Sequence, residues 1–330
     1  MGTNITIQII LKSILSIILL IYTIPLLISQ TITEIELENL NAYINDGYGC
    51  STSIMKDFAF VSEQNIVNVY TKDLGDWVVL TELQFPDTEC SYIDCHYPYV
   101  VIGTIPNEWQ APSTITIYDV SQSNLQLQSE FQVPYLGFSD LAISKNHLCI
   151  GNIYQDDKGS VDLYKRNNST WSNIASISPQ ELTEEAWFGS SIDINNNDLI
   201  IGAQYDNSNN DPAEEENGTV FFYNINKDMP ELNYSFTAGL NCGSGVGIYN
   251  DLVIIQSNQN SWGGTNAIPK NRLLKKEAGS WEIEQDFFTD SGGKNNKSVS
   301  IDDNILIQET ENNSILISNL ETNQITPLLE

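Results

Sequence analysis

Trp187-Phe-Gly-Ser-Ser-Ile-Asp-Ile-Asn-Asn-Asn-Asp-Leu-Ile-Ile-Gly-Ala-Gln-Tyr-Asp206, an acidic loop, and then Gly218-Thr-Val-Phe-Phe-Tyr223 form the stretch on which the fold turns. It predicts three short strands. Ile192 and Ile194 alternate with polar neighbours, as on a strand with one apolar face. Leu199-Ile200-Ile201 is a continuous apolar run of the kind buried on both sides, and Val220-Phe221-Phe222-Tyr223 is β-branched and aromatic. Asn195 to Asp198 supplies the turn between the first two. Three such strands cannot bury both faces alone, so the unit requires neighbouring copies of itself.

The rest of the chain supplies them. The same alternation, followed about ten residues later by the end of an apolar run, starts at Thr52, Ile93, Leu141, Ile192, Val246 and Val299. The runs are Phe58 to Val61, Val100 to Ile102, Leu148 to Ile150, Leu199 to Ile201, Leu252 to Ile255 and Ile305 to Ile307. Third strands recur at Ile66 to Tyr70, Ile115 to Tyr118, Ser160 to Tyr164, Val220 to Tyr223, and more weakly at Arg272 to Leu274 and Ile315 to Ile317. In three copies a polar turn and a tryptophan follow (Trp77, Trp171, Trp281), opening a fourth strand. Four antiparallel strands repeated every 40 to 55 or so residues predict an all-β chain, a β-propeller of six four-stranded blades. The recurring Tyr and Trp are assigned to packing between blades. Residues 33 to 43 also alternate like a strand and, with Ile325 to Leu329, compete to complete the last blade.

These residues resemble a known family. Phe188-Gly189, Gly202-Ala203 and Gly218 ahead of an aromatic strand are similar to the FG-GAP repeat of integrin α-subunit propellers. Tyr48-Gly49 is a fair copy, Leu136-Gly137-Phe138 an offset one, and Cys242-Gly243 keeps only the glycine. The resemblance implies a propeller over residues 31–330 and a role in extracellular recognition rather than catalysis. It also implies a calcium loop between first and second strands, from which this chain departs. The connections here, such as Asn195 to Asp198 or Asp302-Asp303-Asn304, hold too few carboxylates for the six to eight oxygens calcium takes. No cofactor is therefore expected. The acidic loop with Asp206, Asp211, Glu214, Glu215 and Glu216 is the remaining weak metal candidate, read mainly as a solvated loop.

Composition narrows the address and the partners. Of 330 residues 41% are hydrophobic, enough for one large core, while 43 acidic against 14 basic side chains give a net charge of −29. Such a field repels nucleic acid and anionic lipid. Lys12 is followed by an uncharged run rich in Ile and Leu, so residues 1–30 read as a secretory signal peptide or an uncleaved signal anchor. Either way, Lys12 on one side and Glu34, Glu36 and Glu38 on the other place the remainder outside the cytosol, with membrane contact only through that segment. Glycosylation signals agree, at Asn167, Asn168, Asn217, Asn233, Asn296 and Asn312. Outside the cell, Cys50, Cys90, Cys95, Cys149 and Cys242 predict two disulfides and one leftover thiol, which the apolar run Leu148-Cys149-Ile150 assigns to Cys149. Spacing leaves the pairing open, Cys90 and Cys95 being nearest in sequence.

Catalytic motifs are sparse. There is no Gly-x-Ser-x-Gly elbow, His96 and His147 both lie in turns, and Arg166 and Arg272 are the only arginines, one short of the three that six-bladed sialidases use to clamp a carboxylate. The chain therefore reads as a non-catalytic extracellular propeller presenting loops to a protein or a glycan. Its long connections, Pro106 to Pro112, Tyr205 to Glu216 and Ser257 to Pro269, occupy one equivalent place, and two of them carry the candidate binding aromatics Trp109 and Trp262. The alternative is a secreted glycan hydrolase. Asp94, Asp140 and Asp193 accompany three successive first strands, so they are candidates for a cation, or for acid and base, if they face the axis, and for a structural role if they face between blades.

Overall fold

The computed structural model describes residues 51–108, 111–121, 124–134, 137–207, 218–237, 241–257, 270–288, 299–302, 305–309, 315–320 and 324–327. The apolar segment 1–30 and the strand-like residues 33–43 lie outside these. Within them are six four-stranded antiparallel sheets, each with its strands in chain order, and no α-helix. No helix of the described residues is long and apolar enough to cross a membrane. The chain is an all-β six-bladed propeller, as the repeat predicts.

Blade 1 comprises Thr52–Met55, Phe58–Glu63, Ile66–Asp73 and Asp76–Gln84; blade 2 Thr88–His96, Tyr99–Pro106, Ser113–Asp119 and Gln126–Val133. Blade 3 comprises Asp140–Ile143, His147–Asn152, Ser160–Asn167 and Thr170–Ile177; blade 4 Phe188–Asn195, Asp198–Ala203, Thr219–Asn226 and Met229–Thr237. Blade 5 comprises Cys242–Tyr249, Leu252–Ser257, Lys270–Glu277 and Ser280–Phe288; blade 6 Val299–Asp302, Ile305–Glu309, Ile315–Asn319 and Gln324–Pro327. The sixth sheet is thus completed from the C-terminal side, by the segment containing Ile325. The outer strands of blades 2 and 4, which no tryptophan announces, follow the same plan.

Second strands are apolar throughout because successive side chains serve two seams. In blade 4, Leu199 and Ile201 join the core shared with blade 3, whereas Ile200 joins the core shared with blade 5. Five such cores run between consecutive blades, from Phe60, Val67, Ile93 and Ile102 at the first seam to Ile254, Val299, Ile301 and Leu306 at the fifth. Each fully buried Ile, Leu, Val or Phe contributes about 1.5–3 kcal/mol, against about 1 kcal/mol net for one hydrogen bond. Apolar contact between blades therefore holds the ring together, and polar contacts set its register. Trp171 and Trp281 do what was expected of them, whereas Trp77 is half-buried with Lys72 of its own blade over its ring. Trp171 is buried edge-on to Tyr99 of the preceding blade, and Trp281 lies 5.3 Å from Phe222 of its preceding blade.

Blades 6 and 1 differ from this pattern. Ile54 stands where Ile143, Ile194 and Ile248 are buried against the preceding blade, yet is 61% exposed; Ile307 stands where Ile200 and Ile254 are buried against the following blade, yet is 41% exposed.

The cysteines correct one expectation. Cys149 is the buried free thiol anticipated, but Cys95 is free as well, its Sγ 2.9 Å from Ser53 Oγ across the first seam. Cys242, also buried, is in no disulfide either, so at most one bond can form within the chain, not two. The inner-strand position that Cys95 occupies is committed to the neighbouring blade, which is why it has no cysteine partner.

Candidate functional site

The three nominated carboxylates turn out to share one task. Inner strands lie at sheet edges, so their outward-facing N–H groups need acceptors from elsewhere. Asp94 Oδ2 of blade 2 accepts the Ile143 N–H of blade 3 at 2.8 Å. Asp140 Oδ2 of blade 3 accepts the Ile192 N–H of blade 4 at 2.6 Å, and Asp193 Oδ2 of blade 4 accepts the Ile248 N–H of blade 5 at 2.8 Å. The second oxygen is engaged locally in two cases, Asp140 Oδ1 by Leu141 N–H at 2.9 Å and Asp193 Oδ1 by Ile194 N–H at 2.8 Å. Blade 1 makes the equivalent bridge with a hydroxyl, Ser51 Oγ accepting the Ile93 N–H at 2.8 Å. Ser51 and Asp140 sit just before the residue that opens the alternation, Thr52 and Leu141, and Asp94 and Asp193 sit just after it, following Ile93 and Ile192. Of the two arrangements weighed for these aspartates, the geometry is the one between blades. A polar residue flanking the first apolar position was the signal available for it.

Two thiols border this ring of bridges. Burial, reinforced by the charge of Asp94, pushes the Cys95 thiol far above its ordinary range, and burial with Asp193 does the same to Cys149. Both stay protonated, and neither has the thiolate character of a nucleophile. The histidines are held toward the neutral form. Burial lowers the pKa of His147, an effect that Asp228 opposes, and neither ring nitrogen has a hydrogen-bond partner. Burial and the nearby Lys145 lower that of His96.

Asp206 is solvent-free, its Oδ1 facing the Thr183 N–H at 3.3 Å and the Thr183 hydroxyl at 3.4 Å. It anchors the start of the acidic loop, whose other nominees, Asp211, Glu214, Glu215 and Glu216, lie outside the described residues. So do Trp109, Trp262, Asn217, Asn296 and Asn312. Asn168 is exposed in the turn after Ser160–Asn167, and Asn233 is exposed on the outer strand of blade 4. Among the described residues no group of three or more His, Cys, Asp or Glu side chains converges on a point where a metal would sit.

A feature that sequence reasoning missed is a groove of about 150 Å³ between blades 4 and 5, lined by Asp198, Phe222, Asn233, Tyr234, Lys276 and Trp281 among others. Lys276 Nζ pairs with Asp198 Oδ2 at 3.1 Å and lies 5.3 Å from the centre of the Trp281 ring. Its walls come from residues far apart in the chain, so no local motif announces it.

Seam glycines complete the picture. A Cβ on Gly202 would collide with the Gly243 carbonyl oxygen of the next blade, and one on Gly151 with the Gly189 carbonyl oxygen. Ser191 Oγ donates to that Gly243 oxygen at 2.7 Å and Ser139 Oγ to that of Gly189 at 2.6 Å. Both Gly189 and Gly243 have a positive φ, which allows their carbonyls to face the neighbouring blade.

Residues 171–223 match the FG-GAP repeat family. Curated protein sequences give no significant match. Among solved structures, Kluyveromyces lactis Hsv2 aligns with a TM-score of 0.52 at 13% identity, covering 83% of this chain and 73% of its own. A putative 6-phosphogluconolactonase from Bacteroides fragilis aligns with a TM-score of 0.57 at 11% identity, covering 84% and 82%. At such identities these likenesses establish the fold alone. The matched repeat runs from the outer strand of blade 3 to the third strand of blade 4, so its Phe188-Gly189 segment meets Gly151 across one seam and its Gly202-Ala203 segment meets Gly243 across the next. The short glycine motifs are therefore the contact between blades, and the chain is a six-bladed β-propeller carrying an FG-GAP repeat.

Proposed function

We propose that this protein is a non-catalytic extracellular recognition module, a rigid propeller whose long connections bind a protein or a glycan. The observation that carries this reading is the engagement of Asp94, Asp140 and Asp193 by backbone N–H groups of the next blade. Carboxylates so held act as fixed acceptors, and a general acid or base must be able to exchange its proton with substrate. Supporting it, the connections after Tyr99–Pro106, Asp198–Ala203 and Leu252–Ser257 all leave the same end of their blades. Variable loops on a rigid scaffold are the usual site of binding. The N-terminal apolar segment and the glycosylation signals support an extracellular address, with the acidic surface disfavouring nucleic acid.

The test pairs two measurements on the full chain. A glycan array and cell-binding assay should give a signal that Trp262→Ala or Trp109→Ala weakens at unchanged thermal stability. A panel of glycosidase substrates should show no turnover; turnover abolished by Asp193→Asn in a folded protein would establish the hydrolase instead.

A further inference from the structure

The outer strands of blades 1 to 5 each contain one residue skipped by the ladder. In blade 2, Ile117 pairs with Ser129 and Tyr118 with Leu127, leaving Gln128; in blade 4, Phe222 pairs with Tyr234 and Tyr223 with Leu232, leaving Asn233. Such a bulge re-aims the side chain it carries. Gln128 reaches the next blade, where its Oε1 accepts the Trp171 indole N–H at 3.2 Å. Trp281 occupies the place of Trp171 in its own blade, opposite Lys276 as Trp171 is opposite Arg166. Its bulged neighbour is Asn233, one methylene shorter than Gln128, and here the groove opens.

Asn233 also begins Asn233-Tyr234-Ser235, an acceptor sequence for N-glycosylation, and it is exposed. The groove beside it is lined by Phe222, Tyr234 and Trp281, of which Tyr234 is the exposed ring and the other two show little more than an edge, and by the polar Asp198, Lys276 and Ser280. An apolar sugar face stacks on aromatic carbon while hydroxyl and acetamide groups find donors and acceptors at the edge. We infer that Asn233 carries an N-linked glycan whose first N-acetylglucosamine lies in this groove, filling the space that Gln128 fills two blades earlier. The transfer forms a bond from Asn233 Nδ2 to C1 of the sugar and breaks the C1–O bond to a lipid pyrophosphate donor. The pyrophosphate leaves with the electron pair, and the amide proton goes to a base. The inference rests on the extracellular reading above, since this chemistry belongs to the secretory route.

The test is to secrete the full chain from eukaryotic cells and map glycopeptides at all six signals. Acetamide methyl shifts would be recorded by NMR with 13C-labelled N-acetylglucosamine. Asn233 should be occupied, Ser235→Ala should remove one glycan and lower Tm by a few degrees, and one acetamide methyl should be moved upfield by ring currents in the native but not the denatured protein. Any other signal occupied with bare Asn233 overturns the inference and leaves the extracellular reading standing; all six signals bare overturns the two together. Occupied Asn233 with no upfield methyl removes the sugar from the groove and overturns the assignment.

Discussion

Asp140 holds two backbone N–H groups, one in its own strand and one in the next blade, in a place almost free of solvent. Removing the carboxylate leaves both donors without their acceptor, at about 1–3 kcal/mol each. Asp140→Ala should therefore lower the denaturant midpoint clearly, and Ser51→Ala, which deletes a neutral acceptor, should lower it less. Equal midpoints for wild type and Asp140→Ala would show that the bridge does not contribute. A second prediction concerns pH. His147 and His96 have folded pKa values below the ordinary imidazole value, chiefly through burial. Their contribution is fully present above about pH 6.5, where both states are neutral. It is lost as pH falls from there toward the lowered folded values, because the unfolded chain takes up the protons first. His147→Gln should flatten the stability profile between neutral and mildly acidic pH, measured by urea denaturation at several pH values. An unchanged slope in the variant counts against this origin.

At the scale of the element, Gly202 of the repeat motif is explained by close approach, whereas Gly189 and Gly243 also need their positive φ. Gly202 lies next to the end of a second strand, where the Gly243 carbonyl of the next blade occupies the place a Cβ would take. Gly202→Ala must push two blades apart or bend a strand, at a cost of about 3 kcal/mol, the upper end for overpacking. Gly137 offers a control, since an added Cβ there meets only Ile105 Cδ1 at 3.8 Å. Gly137→Ala should stay within about 1 kcal/mol of wild type. Thermal and chemical denaturation of the two variants checks this, and comparable losses would mean that the seam tolerates a side chain. The same strands show why both Trp171 and Trp281 begin a fourth strand: each pairs with a basic residue across the ladder and packs on the preceding blade, Trp171 on Tyr99 and Trp281 on Phe222.

Across the whole molecule the seams are unequal. Ile194 is buried between blades 3 and 4, whereas Ile54, its counterpart at the start of the ring, is 61% exposed. Ile194→Asp would place an unpaired charge in a dry core and should cost more than about 4 kcal/mol or prevent folding. Ile54→Asp should change stability by no more than about 0.5 kcal/mol. The comparison is made by guanidinium denaturation, and a large loss at Ile54 would show that the first blade is sealed against the last as tightly as the others are. The five apolar cores among the described residues also explain how one repeat becomes a stable domain, since blades 2 to 5 each supply half of two interfaces and blades 1 and 6 half of one.

The blade pattern was legible in the sequence because strand alternation, apolar second strands and turn residues are local properties, set by a few neighbouring side chains. Ile192 to Ile201 and its five copies carry that information however the sheets are arranged. The tasks of Asp94, Asp140 and Asp193, the free thiol of Cys95 and the groove beside Asn233 were not legible, because each depends on a residue about 40 to 80 positions away that packing brings alongside. Local pattern decides which strands form; only the distance and orientation of one blade against the next decide which polar groups are used up at a seam and which remain available to a ligand.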